Sequence, residues 1–257
     1  MADGPVTRET RRLLAAVQYF TRLPVPAWVG HSQQQLDEAA RYFPLVGVLV
    51  GGIGAAVLVG AHALWATPVA VILSLVATML VTRGFHEDGL ADTADGLGGS
   101  FDPDRALEIM KDSRIGAYGA MALVCVLSLK LAVLSSMTVS IAALALVGGH
   151  AASRLGGVLI MATLPYVRDA ETSRSKPLVQ GISATSLLVA CATALLAATP
   201  LGITGFIGAS AAIVAAAWWR RRLRHRLGGY TGDCLGAAQQ IGECAFYLAC
   251  AAYNLHG

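Results

Sequence analysis

Residues 68–99 read PVAVILSLVATMLVTRGFHEDGLADTADGLGG, and the change of character inside this stretch sets the architecture. Its first part, Pro68–Gly84, is an apolar run whose one charge is Arg83, while the part after Gly84 is rich in aspartate and glycine. About 20 mostly apolar residues form a helix long enough to cross a membrane, whereas carboxylates are costly in lipid. The stretch therefore predicts a membrane span that emerges into water at an acidic segment.

The rest of the chain repeats this division between long apolar runs and short polar loops. Of the 257 residues, 55% are hydrophobic and only 14% are charged, against about 25% charged in soluble domains, and the mean hydropathy is +0.60. We predict an all-α, polytopic transmembrane helix bundle that forms one integral membrane domain over residues 1–257, with the lipid bilayer as its main solvent. A net charge of +3 is too small to indicate a nucleic-acid partner. The predicted spans number about seven, at Phe43–Ala63, Pro68–Gly84, Ala117–Ser135, Thr138–Leu164, Ile182–Ala198, Ile203–Trp219 and Leu235–Tyr253.

Basic residues occur only in alternate loops. The turns near Trp65, Ser136 and Pro200 carry no charge, whereas the other loops hold Arg83, Arg105, Lys111, Arg114, Arg168, Arg174, Lys176 and five arginines between positions 220 and 226. Positively charged loops stay on the cytoplasmic side. The N-terminus is therefore predicted to be cytoplasmic and the C-terminus to lie outside.

The segment ahead of the first span, residues 1–42, is predicted to be interfacial or cytoplasmic. Within it, Arg11–Phe20 has an amphipathic pattern, and Pro24 and Pro26 follow shortly after. We expect a helix that lies in the membrane interface and ends at the prolines. The alternative is that its arginines only anchor the chain to the membrane surface.

The acidic segment is the first candidate functional site, and we interpret residues 85–116 as a cytoplasmic catalytic loop. Asp88, Asp92 and Asp95 are spaced i, i+4, i+7, so in a helix they share one face. Carboxylates on one face repel one another, which indicates a cation between them, and Mg²⁺ prefers such oxygen ligands. Glu87 falls off this face and is a lower-ranked ligand. The alternative is an ordinary solvated acidic loop.

Two further polar stretches flank membrane spans. In Met110–Gly119, Lys111 and Arg114 are suited to holding phosphate oxygens, and Asp112 could complete a metal shell. The alternative for the two cations is anchoring at the start of a span. In Gly228–Ala237, a glycine-rich turn offers free N–H groups to an anion, although Asp233 could instead only cap the helix that follows.

Apart from Arg83 at the end of its span, three charged residues fall inside predicted spans, at Lys130, Arg154 and Glu243. Charges in lipid are expensive and are usually paired or functional. Glu243 could pair with either cation, and such a pair could be purely structural. For Lys130, which lies towards the outer end of its span, the alternative is snorkelling to the surface.

The polar stretches together resemble one protein family, cobalamin synthase (adenosylcobinamide-GDP ribazoletransferase). The stretches that carry this resemblance are TRLPVP at 21–26, FPLVG at 43–47, FHEDGLADTADG at 85–96, MKDSRIG at 110–116 and GGYTGDCLGA at 228–237. They occur in the family's order and cover nearly the whole chain. The run EDGLADTADG at 87–96 is the most specific of them.

The resemblance implies a reaction, a metal and a location. The family joins adenosylcobinamide-GDP to α-ribazole or its 5′-phosphate, releases GMP, uses Mg²⁺ and works in the bacterial inner membrane, here with the active face cytoplasmic. The expected metal ligands are Asp88, Asp92 and Asp95, and Glu87 is a lower-ranked ligand. The expected catalytic residues are Asp95, Asp112, Lys111 and Arg114, with Asp95 or Asp112 taking the hydroxyl proton. Expected to bind substrate are Arg22, Lys130, Arg154, Arg168, Asp233 and Glu243.

Three other classes of protein were weighed against this one. A lipid head-group phosphotransferase would use the same acids, but only the opening of its motif is present, at Asp92–Gly96. A transporter could line a path with the charges inside the spans, yet no internal repeat is evident. An intramembrane aspartyl protease would need a second aspartate deep in a span. Small residues on the helix faces would also permit a homo-oligomer.

Overall fold

A computed structural model describes residues 5–30, 33–167 and 182–256. Within these ranges the chain is helical, and its one β-type contact is an isolated parallel bridge between Tyr166 and Tyr230. The predicted all-α class is therefore confirmed. The helices are α1 Pro5–Phe20, α2 Gln33–Ala39, α3 Phe43–His62, α4 Thr67–Thr82, α5 Phe85–Gly99, α6 Pro103–Ile109, α7 Ala117–Ser135, α8 Val139–Met161, α9 Ala184–Ala198, α10 Ile203–Leu227 and α11 Gly232–His256.

Judged by helix length and composition, the structure has fewer candidate spans than the seven that the sequence predicts. Among the described residues, five helical stretches are long and apolar enough to cross a membrane, at Asp37–His62, Ala117–Ser135, Val139–Met161, Ala184–Leu201 and Ile203–Leu227. A sixth is reached if α4 and α5 together count as one broken span. Helix α11, predicted as the last span, is long enough but carries buried Gln239, Gln240 and Glu243. The chain is thus a polytopic membrane bundle, and seven spans stay a prediction.

The break between α4 and α5 comes from two consecutive left-handed residues. Arg83 has φ 62° and Gly84 has φ 65°, and the N–H of Gly84 bonds to the carbonyl of Met79 over 2.8 Å. Glycine takes this conformation without a Cβ penalty, which ends α4 where the sequence predicts. The two helices meet at 89°. Helix α5 therefore turns away from the axis of α4 and starts a new direction at the acidic segment.

The polar loops gather at one end of the bundle, which we call the motif face. It consists of α5, the C-terminal end of α4, the starts of α7 and α11 and the ends of α8 and α10. Backbone contacts join these parts: the N–H of Arg22 donates to Val81 O over 2.8 Å, and that of Tyr230 donates to Pro165 O over 2.9 Å. The motif face carries the basic loops, so the predicted cytoplasmic orientation refers to this end.

The N-terminal helix α1 has the predicted amphipathic form and ends at Phe20, ahead of the two prolines. Its apolar side is buried at Ala15, Ala16 and Phe20. On its polar side, Arg12 forms ion pairs with Glu9 of the same helix and with Glu38 of α2. The helix is therefore tied to the rest of the chain, and its position in a membrane interface stays a prediction.

Candidate active site

The acidic segment is helix α5, so Asp88, Asp92 and Asp95 lie on one face as their spacing predicts. Their burial increases along that face: Asp88 is exposed, Asp92 is partly buried and Asp95 is only 9% exposed. The face therefore begins in water and runs into the protein. Residues 85–116, interpreted above as a loop, are in fact mostly helical, with α6 following α5.

Asp95 holds the start of α7. Its Oδ2 accepts the N–H of Gly116 over 2.7 Å and its Oδ1 accepts the N–H of Gly119 over 2.8 Å. A carboxylate at a helix N-terminus satisfies free N–H groups and complements the helix dipole. A Cβ added at Gly116 or Gly119 would lie 2.4 Å from a carboxylate oxygen of Asp95. Both glycines are thus needed for this close approach.

All four predicted catalytic residues line one pocket at the motif face. The pocket has a volume of about 720 Å³, within the usual range for small-molecule sites. Its charged lining residues are Asp95, Arg105, Glu108, Lys111, Asp112 and Arg114. The buried Asp95 forms its inner wall, and the loop after α6 supplies Lys111, Asp112 and Arg114. The pocket therefore combines cations suited to phosphate oxygens with several carboxylates.

Asp112 and Arg114 form an exposed ion pair in this pocket. Arg114 Nη2 donates to Asp112 Oδ2 over 2.6 Å, and its Nε donates to Oδ1 over 3.0 Å. The side-chain hydrogen bonds from Arg114 lower the pKa of Asp112 to about 2. Asp112 therefore stays ionised at neutral pH and is a poor proton acceptor there.

The start of α11 lies directly against α5 at two glycines. A Cβ added at Gly89 would lie 2.8 Å from the carbonyl oxygen of Asp233, and one added at Gly236 would lie 3.2 Å from the Cα of Gly89. This contact places the backbone of Asp233 beside the turn of α5 that carries Asp88 and Asp92. At the start of α11, Thr231 Oγ1 accepts the N–H of Cys234 over 3.3 Å and donates to Asp233 Oδ2 over 3.5 Å. The capping alternative for Asp233 stays a prediction.

The fit of a metal to these acids can be judged from the side chains. In the parts of the chain that the structure describes, no three His, Cys, Asp or Glu side chains converge as a ready-made metal site. Mg²⁺ usually binds through one or two carboxylates and completes its shell with water and substrate phosphates. Asp88 and Asp92 at the water-facing part of α5 fit that arrangement, whereas Asp95 is engaged by two backbone N–H groups. The three-acid site stays a prediction.

Glu87 points to the other side of α5, into the bundle. Its Oε1 accepts a hydrogen bond from Gln240 Nε2 over 2.9 Å, and its Oε2 is buried without a hydrogen-bond partner in the described parts of the chain. Its position off the face shared by the three aspartates is the reason why Glu87 ranks lowest among the predicted metal ligands. Glu87 instead connects α5 to a buried ionic network.

That network is centred on Glu243 of α11. Its carboxylate lies 2.5 Å from Lys130 Nζ and 2.5 Å from His150 Nδ1, with Arg154 Nη1 at 4.0 Å. Lys130 also donates to Gln240 Oε1 over 2.6 Å. The side chain of Lys130 is 2% exposed and that of Glu243 is 1% exposed, so Lys130 pairs inside the bundle and does not snorkel. These contacts fit the alternative given for the charges inside the spans, that they form a purely structural pair.

The sequence did not single out His150, which lies four residues before Arg154 on α8 and faces the same network. Arg154 Nη1 donates to the carbonyl oxygen of His150 over 2.9 Å. A histidine one helical turn before a charged residue inside a span was the available signal. The pairing of both residues with Glu243 needed the packing of α8 against α11, which the sequence does not show.

Arg154 keeps one edge of its guanidinium unpaired. Its Nε and Nη2 have no hydrogen-bond partner within the described ranges, and the side chain borders a cavity of about 30 Å³ together with Phe20, Phe43 and His86. A water molecule needs about 10–15 Å³ measured in this way. The cavity therefore has room for two or three waters and is too small for a phosphate group unless it widens.

Two other predicted substrate-binding residues lie away from these contacts. The side chain of Arg22 is exposed, and only its backbone N–H is tied down, to Val81 at the end of α4. Arg168 lies outside the described residues. The substrate-binding roles of Arg22, Lys130, Arg154, Arg168, Asp233 and Glu243 stay predictions.

Comparison with known proteins gives the same family that the motifs of the motif face resemble. A family model for cobalamin-5-phosphate synthase matches residues 12–251. A protein of Leptothrix cholodnii named adenosylcobinamide-GDP ribazoletransferase is 51% identical over 93% of this chain and 94% of its own length. Proteins with the same name from Shewanella woodyi and Polaromonas sp. are 44% and 46% identical, covering 93% and 96% of this chain and 95% and 99% of their own lengths. No solved structure matches.

Proposed function

The chain belongs to the cobalamin-5-phosphate synthase family, and from this membership we propose that it is an adenosylcobinamide-GDP ribazoletransferase. It joins adenosylcobinamide-GDP to α-ribazole, or to α-ribazole 5′-phosphate, and releases GMP. The product is adenosylcobalamin or its 5′-phosphate. The observation that carries this proposal is the 51% identity with a protein of that name over 93% of the chain, supported by the charged pocket at the motif face.

The reaction is a substitution at phosphorus. The 5′-hydroxyl oxygen of ribazole forms a bond to the phosphorus that carries cobinamide, while the bond from that phosphorus to the bridging oxygen breaks. GMP leaves with the electron pair, and the hydroxyl proton passes to a base. Such transfers depend mainly on positioning and on neutralising negative charge. The protein must therefore hold a pyrophosphate beside a carboxylate.

The cations of the pocket are suited to the pyrophosphate. Lys111 is a flexible point charge, and Arg114 presents several N–H donors in one plane. Arg114 is already bonded to Asp112 through Nε and Nη2, so Asp112 orients the guanidinium. Both cations lie on the loop between α6 and α7, within reach of the buried Asp95 across the pocket.

Asp95 is the better of the two candidates for the base. Asp112 is ionised and bound to Arg114, which holds its pKa at about 2, so its affinity for a proton is low. Asp95 accepts one backbone N–H at each oxygen, and each oxygen keeps a further lone pair. Asp95 would then receive the hydroxyl proton while its position is fixed by the start of α7.

Mg²⁺ belongs to this proposal as the metal that the acids would hold. Asp88 and Asp92 would be its protein ligands. Asp95, the third predicted acid, lines the catalytic pocket. When bound, the ion supplies positive charge that stabilises the departing phosphate. We place the motif face in the cytoplasm of a bacterium and the bundle in its inner membrane, since the basic loops lie at this end.

The test is a reaction with purified full-length protein in lipid. The protein, adenosylcobinamide-GDP, α-ribazole and Mg²⁺ are incubated, and cobamide and GMP are measured together. We expect both products in equal amounts, and we expect Asp92→Asn to lower the rate about 10²–10³-fold, the usual cost of losing one charge-stabilising group, with insertion unchanged. Asp104→Asn, at an exposed residue of α6 that does not line the pocket, is the matched control and should keep the rate.

Two results would contradict the proposal in different ways. Absence of GMP with wild-type protein that is correctly folded would remove the transferase function. A wild-type rate in Asp92→Asn would leave the function in place and remove the metal role of α5.

A further inference from the structure

A second groove lies on the motif face and shares no lining residue with the catalytic pocket. It has a volume of about 350 Å³ and runs between α5, α10 and α11. Its walls are mainly apolar, from Leu97, Trp218, Trp219 and Ile241, and Arg222 and Arg226 lie at the same groove. An apolar groove with a few cations suits a molecule that has an apolar body and an anionic group.

The exposed side of α10 indicates how deep this groove sits in the membrane. Val214, Trp218 and Arg222 follow one another at intervals of four residues, and all three are exposed, with Val214 at 68% and Trp218 at 55%. Tryptophan concentrates at the boundary between lipid tails and water, and arginine just beyond it. The order of these residues along α10 therefore favours a position of the groove at the level of phospholipid head groups.

The end of α10 is strongly basic. Five arginines fall within seven residues, at positions 220, 221, 222, 224 and 226. Clusters of four to eight basic residues at the cytoplasmic end of a span attract anionic lipids. The charge at this end is therefore complementary to an acidic head group.

Arg226 lines the groove and has one donor without a partner in the described parts of the chain. It is 9% exposed, and its Nη2 donates to the carbonyl oxygens of Leu97 over 2.9 Å and Ser100 over 2.6 Å. Its Nε is buried and has no hydrogen-bond partner in the described parts of the chain. A buried donor without a partner is costly, and an anionic oxygen in the groove would satisfy it after a shift of the side chain that exposes Nε.

Trp219 shapes the apolar wall. Its indole Nε1 donates to the carbonyl oxygen of Cys234 over 3.0 Å, so its polar atom is already used and the ring turns only carbon atoms to the groove. Trp218, beside it, is exposed. The two rings form a wall suited to acyl chains.

We propose that this groove binds an anionic phospholipid, with the phosphate at Arg222 and Arg226 and the apolar part against Trp218, Trp219 and Leu97. The proposal does not depend on the transferase reaction. Bound lipid would connect α5, which carries the acids, to the ends of α10 and α11. The enzyme would then bind one lipid of defined charge in addition to being embedded in a bilayer.

The test measures quenching of tryptophan fluorescence by lipids with brominated chains. The full-length protein is placed in phosphatidylcholine bilayers, and brominated phosphatidylglycerol is compared with brominated phosphatidylcholine. The measurements are made in 1 M salt, where the screening length is about 3 Å and diffuse surface attraction is suppressed. We expect wild-type protein to prefer phosphatidylglycerol, and the double variant Trp218→Phe/Trp219→Phe, which removes both tryptophans of the groove, to lose that preference. Trp65→Phe, at the opposite end of the bundle, should keep it.

A matched pair of arginine variants locates the head group. Arg222→Gln should weaken the preference for phosphatidylglycerol about fivefold, which corresponds to one basic contact. Arg221→Gln removes the same charge one position away, outside the lining of the groove, and should stay within about twofold of wild type. Equal losses in both variants, or equal quenching by the two lipids, would overturn the proposal. Relief of the quenching by α-ribazole would also overturn it, because the groove would then be a substrate site.

Discussion

The molecule contains two groups of charged residues that lie in opposite environments. The catalytic pocket is open to water, and its Asp112–Arg114 pair has side chains that are 40% and 87% exposed. The network around Glu243 is closed, and its Lys130 and Glu243 side chains are 2% and 1% exposed. Charges in the pocket remain accessible to a substrate, whereas charges in the network have one another as partners. From this comparison we expect the first group to take part in the reaction and the second to stabilise the bundle.

The two groups are connected through α5. Asp88 is exposed to water and Asp92 is partly buried, while Glu87, next in sequence to Asp88, is bonded to Gln240 inside the bundle. Gln240 in turn accepts a hydrogen bond from Lys130. The network therefore holds the helix that presents the acids. A change in the network is expected to act on stability first and on turnover through the position of α5.

The largest effect is expected from Glu243→Ala. Removing this carboxylate leaves Lys130 buried without its counter-ion, and breaking a buried pair in this way costs about 3–5 kcal/mol of unfolding free energy. The control is Glu108→Ala, whose carboxylate lies 2.5 Å from Arg105 with both side chains more than 60% exposed. That surface pair is worth at most about 1 kcal/mol. Thermal unfolding in lipid compares the two, and equal losses would contradict the expectation that the network stabilises the bundle.

A smaller effect is expected from Gly119→Ala. The new Cβ would lie 2.4 Å from Asp95 Oδ2 and 2.9 Å from Ala91 O, and overpacking of this kind costs about 1–3 kcal/mol. Turnover should fall as well, because Asp95 lines the pocket. Gly52→Ala on α3 is the control, since nothing lies within 4 Å of a Cβ at that position. It should keep or slightly raise stability. Full stability and turnover in Gly119→Ala would show that Asp95 does not hold the start of α7.

The smallest effect is expected in the pH dependence of Asp112→Asn. Arg114 lowers the pKa of Asp112 from its ordinary value near 3.8 to about 2, so the favourable pairing is complete above about pH 4 and is lost only as the pH falls towards 2. Asp112 therefore does not titrate between pH 5 and 8. The variant should lower the rate and leave the shape of the pH profile in that range unchanged. Loss of an acidic limb in the profile would instead make Asp112 the base.

Much of the fold was predictable because it depends on local sequence. Apolar length indicated the spans, Gly84 marked the end of α4, and the spacing of Asp88, Asp92 and Asp95 set a helical face. The number of spans was less certain, because α11 buries polar side chains among its apolar ones. Its buried Gln240 and Glu243 are stabilised by residues on other helices.

The site was predictable in its residue types and less so in its geometry. Lys111, Asp112 and Arg114 were expected beside Asp95, and one pocket contains all four. The bonds from Asp95 to Gly116 and Gly119 join residues more than 20 positions apart, and no local pattern shows them. The same holds for His150 and for the groove at Trp218, which arise only when α5, α8, α10 and α11 pack together.

The most direct test of the central claim, that the acids of α5 hold a metal for phosphate transfer, is the metal dependence of turnover. Wild-type protein in lipid is depleted of metal with EDTA, and GMP release is measured before and after Mg²⁺ is added back. The account predicts that release stops on depletion and returns with Mg²⁺, and that Asp92→Asn does not recover at the same concentration. Full GMP release from metal-free membranes would contradict it.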